Sequence, residues 1–153
     1  MDYKIAANAI ATRMESTLPF LIHTDQTGFI KGRYIGENIR LICDLLEQTK
    51  TDKSSGILLS IDFRKAFDTL EWPIMQKALE TCNFGESLRR GIETFHKNIE
   101  STVLNNGYAS KWIKPSGRGV RQGCPLSPFL FVLTAKLLSN KIYQSDAVKG
   151  VSL

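Results

Sequence analysis

The chain has 153 residues, 42% of them hydrophobic, enough to bury one core and pointing to one domain. Twenty Lys and Arg against fifteen Asp and Glu leave a formal charge of +5, which suits a polyanionic partner, although an ordinary solvated basic surface carries as much. The start, Met1-Asp2-Tyr3-Lys4, has no apolar signal region, and no apolar run approaches membrane-spanning length, so no membrane partner is expected.

In chain order, Ile5, Ala6, Ala9, Ile10, Met14 and Leu18 give a helical stripe that ends at Pro19. Residues 24–36, punctuated by Gly28, Gly32 and Gly36, read as a loop. Ile35, Ile39, Ile42, Leu45 and Leu46 mark an amphipathic helix, followed by a polar turn over 49–56. Leu58 to Phe63 is a nearly continuous apolar run, which predicts a strand buried on both faces. Helices are predicted over 73–82 and 86–97. Residues 101–104 and 110–113 then flank Asn105-Asn106-Gly107, a strong hairpin turn. A long helix follows Pro125, with Phe129, Leu130, Leu133, Leu137 and Leu138 predicted inside. There is no internal repeat or low-complexity linker.

Three cysteines, Cys43, Cys82 and Cys124, are widely spaced and include no Cys-x-x-Cys pair. His23 and His96 are isolated. Reduced thiols in an intracellular setting, nuclear or cytoplasmic, are therefore expected in place of a disulfide framework or a zinc site. Gly117-Arg118-Gly119 lacks the spacing of a dinucleotide fingerprint, and no Walker-type Gly-Lys-Ser/Thr occurs.

Two stretches carry chemistry. Asp62 closes the apolar run and is followed by Phe63-Arg64-Lys65-Ala66-Phe67-Asp68. An aspartate at a strand end is rigidly placed and suits a hard cation, yet aspartate is also a common helix N-cap; the strand alone leaves both readings open. Asp62 and Asp68 are also spaced so that an acid–base pair is conceivable. The second stretch is Arg121-Gln122-Gly123-Cys124-Pro125-Leu126-Ser127-Pro128, preceded by Gly119. Gln122 both donates and accepts hydrogen bonds, Gly123 permits a turn or close approach of a ligand, and Ser127-Pro128 starts a helix. A plain glycine–proline loop that caps a helix has the same residues.

Taken together and in this order, the two stretches resemble the palm of a reverse transcriptase, most closely the non-LTR (LINE-type) retrotransposon enzymes. Asp25-Gln26-Thr27-Gly28-Phe29-Ile30-Lys31-Gly32-Arg33 resembles the fingers motif of the same enzymes and of group II intron enzymes. The resemblance implies an α/β fold, part of a right-hand polymerase that is helix-rich with a small antiparallel sheet. Residues from 1 to about 56 would be fingers and those from about 57 to 153 palm. It implies RNA-directed DNA polymerisation on an RNA template and DNA primer, with deoxynucleoside triphosphates as substrates and two Mg2+ ions. Asp62 matches the family's metal-binding aspartate, and the Phe63 backbone carbonyl would bind the same ion. Ala66 and Phe67 match positions against the incoming nucleotide, the ring excluding a 2′-hydroxyl. Gln122 and Gly123 match the pair against the nucleotide and templating base. Lys31, Arg33 and Arg121 would contact the template.

Family members continue into a hairpin bearing aromatic-x-Asp-Asp, and then a thumb. Here the only acid after Glu100 is Asp146, and Val151-Ser152-Leu153 reads as the approach to that hairpin. The resemblance thus predicts a fragment that, alone, does not polymerise DNA and belongs to a larger retrotransposon polyprotein, with exposed apolar faces prone to aggregation. The alternatives are a non-catalytic RNA-binding remnant, or an unrelated helical enzyme that uses Asp62 and Asp68.

Overall fold

The computed structural model describes residues 2–53 and 55–150. Helix α1 spans Asp2–Glu15 and is rich in alanine, the strongest helix former. It buries Ala7, Ala11 and Met14, with Leu18 following, while Ile5, Ala6 and Ala9 are exposed. The buried stripe is therefore rotated from the predicted one. The rotation follows Tyr3, whose ring meets Phe95 edge-on at 5.1 Å and is too large to leave in water at no cost. Pro19 does not end this helix; it lies in the first turn of a short one, α2 (Leu18–Leu21), where its fixed φ is favourable.

Residues 22–34 form a loop, as predicted, with Ile30 buried beneath it. Its brace is Arg33, whose guanidinium donates to the carbonyls of Gln26 (2.7 Å), Pro19 and Ile22 (2.9 Å each) and His23. A planar fork with five donors can satisfy several carbonyls at once, as no lysine can. Helix α3 (Ile35–Thr51) runs three residues into the expected turn and buries no residue at all.

The predicted strand over 58–63 is not formed. Residues 55–63 are irregular, and Ile57, at 96% exposure, stands almost wholly in water with Leu58, Leu59 and Ile61 beside it. A strand holds its shape only when its N–H and C=O groups find a neighbour, and no strand among the described residues pairs with this segment. Apolar composition marks the segment as one that prefers burial; it does not supply the partner.

Beyond it come α4 (Ala66–Thr69), α5 (Trp72–Thr81) and α6 (Glu86–Thr94), the last ending three residues before its predicted limit. Strands β1 (Leu104–Asn105) and β2 (Tyr108–Ala109) pair antiparallel around Asn106-Gly107, both at positive φ as a tight hairpin turn requires. Helix α7 (Ser127–Tyr143) closes the fold and starts at Ser127-Pro128 as the sequence predicts.

The core lies between α1, α5, α6 and the first half of α7. Met14, Leu18, Met75, Leu79, Ile92, Leu126, Leu130, Val132 and Leu133 are all essentially inaccessible to solvent. Each such side chain contributes about 1.5–3 kcal/mol by leaving water. Leu138, predicted inside, is exposed; Leu137 packs against the core instead, because the far half of α7 borders an open groove. No helix among the described residues is long and apolar enough to cross a membrane.

Candidate functional site

The two chemical stretches, about fifty residues apart in sequence, are laced together by main-chain bonds. Val120 N–H donates to the Phe67 carbonyl and Gly119 N–H to the Leu70 carbonyl, both at 2.8 Å. Trp72 N–H donates to the Gly117 carbonyl at 3.1 Å, and its indole Nε1 to the Gly119 carbonyl at 2.8 Å. Glu71 and Arg118 form an antiparallel bridge between them. Gly119 permits this closeness: its φ is +89°, and a Cβ there would stand 3.2 Å from the Asp68 carbonyl oxygen. Next to the lacing, Gln122 Nε2 donates to Asp68 Oδ1 at 3.3 Å, so one side chain from each stretch meets the other.

Asp62 lies four residues before α4, exposed, at the end of the irregular segment. The capping alternative fails. The N-cap of α4 is Lys65, in the left-handed region at φ 51°, and no side chain caps the helix. The residue after Asp62 is held by an aromatic contact. Phe63 meets Phe131 of α7 edge-on at 5.6 Å, and Phe67 meets the same ring at 5.7 Å. Phe131 was not singled out by the sequence, because one apolar residue in an apolar helix carries no sign of which face it serves. Trp72 was missed likewise; its place just after the first motif was the available signal. Phe63, Ala66, Leu70, Phe131 and Leu138 line an open groove of about 770 Å3 beside this cluster.

Among the predicted template-binding residues, Lys31 is exposed, with Glu15 Oε2 3.6 Å from its ammonium. Arg33 donates to the carbonyls of Pro19 in α2 and of Ile22, His23 and Gln26 in its own loop, and so braces that loop. The Arg121 guanidinium carbon lies 4.3 Å from the centre of the Tyr3 ring, a cation–π contact. Burial, then the hydrogen bond that the Tyr3 phenol donates to Cys124 Sγ at 3.0 Å, raises the Tyr3 pKa far above the usual phenol range. That residue is a neutral strut. Arg121 also offers its carbonyl to Ser127 Oγ at 2.8 Å, which ties the second motif to the start of α7.

Two magnesium ions need several carboxylate oxygens between them. Asp62 supplies one carboxylate and Phe63 one carbonyl, while Asp68 is engaged by Gln122. Among the described residues there is no group of three or more His, Cys, Asp or Glu able to hold a metal ion. The donor set therefore does not fit a pair of ions by itself. The predicted approach segment, Val151-Ser152-Leu153, lies outside the described residues.

Comparison with known proteins shows the family. The family model described as "Reverse transcriptase (RNA-dependent DNA polymerase)" matches residues 1–150. The chain is 36% identical over 154 residues to the protein of Xenopus laevis called "Transposon TX1 uncharacterized 149 kDa protein", covering 95% of this chain and 12% of that protein. It is 33% identical over 112 residues to the Pol polyprotein of a type-1 retrotransposable element R2 from Nasonia vitripennis, covering 72% of this chain and 11% of the relative. A type-2 element R2DM of Drosophila melanogaster matches at 28% over 127 residues, 82% of this chain and 12% of the relative. The chain thus spans about an eighth or less of the length of these relatives.

Proposed function

The chain belongs to the reverse transcriptase family, in the branch of the non-LTR retrotransposon polyproteins, and we propose how its residues serve such an enzyme. The segment from 1 to about 56 acts as part of the fingers, and that from about 57 to 153 as part of the palm, of an RNA-directed DNA polymerase. The substrates are an RNA template, a DNA primer and deoxynucleoside triphosphates. The single observation that carries this reading is the lacing of residues 67–72 to residues 117–120, with Gln122 on Asp68. It makes one rigid corner of the two stretches that the resemblance assigns to the nucleotide.

Within that corner Phe67 is half-buried against Phe131, so its ring cannot swing aside when a sugar arrives. A ring held this way excludes a 2′-hydroxyl by bulk, because a fixed aromatic neither compresses nor moves at small cost. Gly123, at φ +75°, lets the backbone after Gln122 lie close to a base. Asp62 and the Phe63 carbonyl would each give an oxygen ligand to a metal ion, whose positive charge would offset the negative charge of the reacting phosphates. The additional carboxylates that metal-assisted transfer demands come from outside the described residues, in the remainder of the polyprotein. Lys31 and Arg121 serve the template phosphates.

Primer extension tests this reading. The 153-residue chain alone is expected to add no nucleotide to an RNA–DNA primer–template, and the intact polyprotein to add deoxynucleotides readily. In the polyprotein, Phe67→Val is expected to admit ribonucleotides; unchanged sugar discrimination would show that the Phe67 ring does not select the sugar. The second reading, an RNA-binding remnant without catalysis, is favoured by the small carboxylate set of the corner, Asp62 and the hydrogen-bonded Asp68. It predicts salt-dependent RNA binding and no extension even by the intact polyprotein.

A further inference from the structure

The hairpin around β1 and β2 is more strongly built than its two-residue strands suggest. Ser101 and Ile113 exchange both main-chain bonds at 2.7 and 2.9 Å, and Ser110 N–H donates to the Val103 carbonyl at 2.9 Å. The strand pairs sum to one register at Leu104–Ala109 and to one residue more at Ser101–Ile113, so a single-residue bulge lies between Ser110 and Ile113. Ser110 repairs the ladder there: its hydroxyl accepts from Val103 N–H and donates to the Lys111 carbonyl, both at 3.0 Å. The ribbon leads directly into Gly117–Gly119 and so is fixed to the laced corner.

What this ribbon displays is unusual for a free surface. Tyr108 is 81% exposed and Trp112 68% exposed, with Lys111 between them and Lys114 just beyond. Residues 97–121 hold five Lys or Arg against a single acid, Glu100. Glu100 takes up Lys114 at 3.3 Å, while Lys97, Lys111 and Arg118 make no ion pair among the described residues. Two exposed aromatic rings four residues apart, at most about 13 Å along the backbone, with Lys111 between them and further cations on either side, match the needs of a flexible polyanion whose bases offer flat apolar faces. A protein partner of the same patch would need acidic groups and apolar side chains together. A single-stranded nucleic acid has both features in every residue.

We propose that residues 101–114 form a stacking platform for the single-stranded stretch of the RNA template, with Tyr108 and Trp112 taking bases and Lys97, Lys111 and Arg118 taking phosphates. This inference rests on the nucleic-acid reading above and adds a surface to it. Trp112 is one of two tryptophans in the chain, and the other, Trp72, is half-buried with its indole N–H engaged. Quenching of the exposed indole therefore reports stacking.

The test is binding of a fluorescein-labelled oligoadenylate of about 16 nucleotides to the full chain, read by anisotropy and by tryptophan quenching. Tyr108→Ala with Trp112→Ala is expected to weaken affinity at least about tenfold, while Tyr108→Phe with Trp112→Phe retains most of it. Lys111→Ala and Arg118→Ala are each expected to flatten the log–log salt dependence by about 0.7. These side chains are exposed, so an unchanged circular dichroism spectrum and melting temperature accompany each variant. If the double alanine variant binds like the parent while Lys31→Ala with Arg121→Ala does not, the platform is refuted and the template reading survives; the patch is then a contact for protein. If the parent chain binds no RNA at low salt, both fall together.

Discussion

Replacing Gly119 by alanine tests whether the two motifs are held as one unit. At φ +89° an L-residue sits in the left-handed half of backbone space, at a cost of about 1–2 kcal/mol. The new Cβ also meets the Asp68 carbonyl oxygen at 3.2 Å, an atom of main chain that cannot rotate away as a side chain can. Either the lacing opens by a few tenths of an ångström or the strain remains, and the two effects together amount to about 2 kcal/mol. That lowers the folded-to-unfolded ratio about thirtyfold and the melting temperature by about 4–8 °C. Urea unfolding followed by circular dichroism measures it. Gly85→Ala is the control, since Gly85 has φ −59° and open space around it. Equal stability of the two variants would refute the tight approach of residue 119 to Asp68.

Other perturbations follow from the same structure. His96 is buried, with Trp72 5.5 Å from its ring and Nδ1 2.9 Å from the Ile92 carbonyl; burial lowers its pKa, and Arg121 lowers it further. Its stabilisation is complete above the unfolded value of about 6.5 and is lost as pH falls below that, because only the unfolded chain then takes up the proton. His96→Gln is expected to flatten the loss of stability between about pH 7 and 5, and an unchanged slope would assign the acid sensitivity to another group. Arg33→Met leaves three loop carbonyls and that of Pro19 without their donor, and hydrogen exchange over 22–34 should quicken, corresponding to about 2 kcal/mol of local stability. Arg33→Lys should not restore it, since one ammonium cannot reach the same spread of acceptors; full protection in either variant would contradict the brace. Leu79→Ala, at a site with no solvent exposure, should cost about 2–5 kcal/mol by urea titration, and a loss under about 1 kcal/mol would place Leu79 outside the core.

How much of this was legible in the sequence depends on whether the signal was local. Asn106-Gly107 specifies its turn through two residues that tolerate positive φ, and Ser127-Pro128 starts its helix by fixing one torsion; both came out as read. Helix positions were legible, but the buried face of α1 was not. A stripe of Ile5 and alanines looks convincing until a single aromatic, Tyr3, turns the helix toward Phe95 and Cys124. The run from Ile57 to Phe63 misled for a related reason. Its composition states a preference for burial on two faces, and pairing depends on segments the run itself cannot reveal. At the candidate site the motifs named Asp68 and Gln122, yet the lacing through Gly117, Gly119, Leu70 and Trp72 depends on bonds between segments distant in sequence. Arg33 shows a further non-local term: the fingers resemblance and its basic character suggested a phosphate, while the four carbonyls that both terminal nitrogens of its guanidinium meet were not visible in the sequence.

Whether Asp62 stands at a nucleotide-transfer site shared by the two motifs is decided by single-turnover addition of one deoxynucleotide by the intact polyprotein. Asp62→Asn is expected to lower the rate of that addition at least about a thousandfold, with primer–template affinity nearly unchanged. Addition at the parental rate by the Asp62→Asn polyprotein would show that this carboxylate takes no part in the transfer.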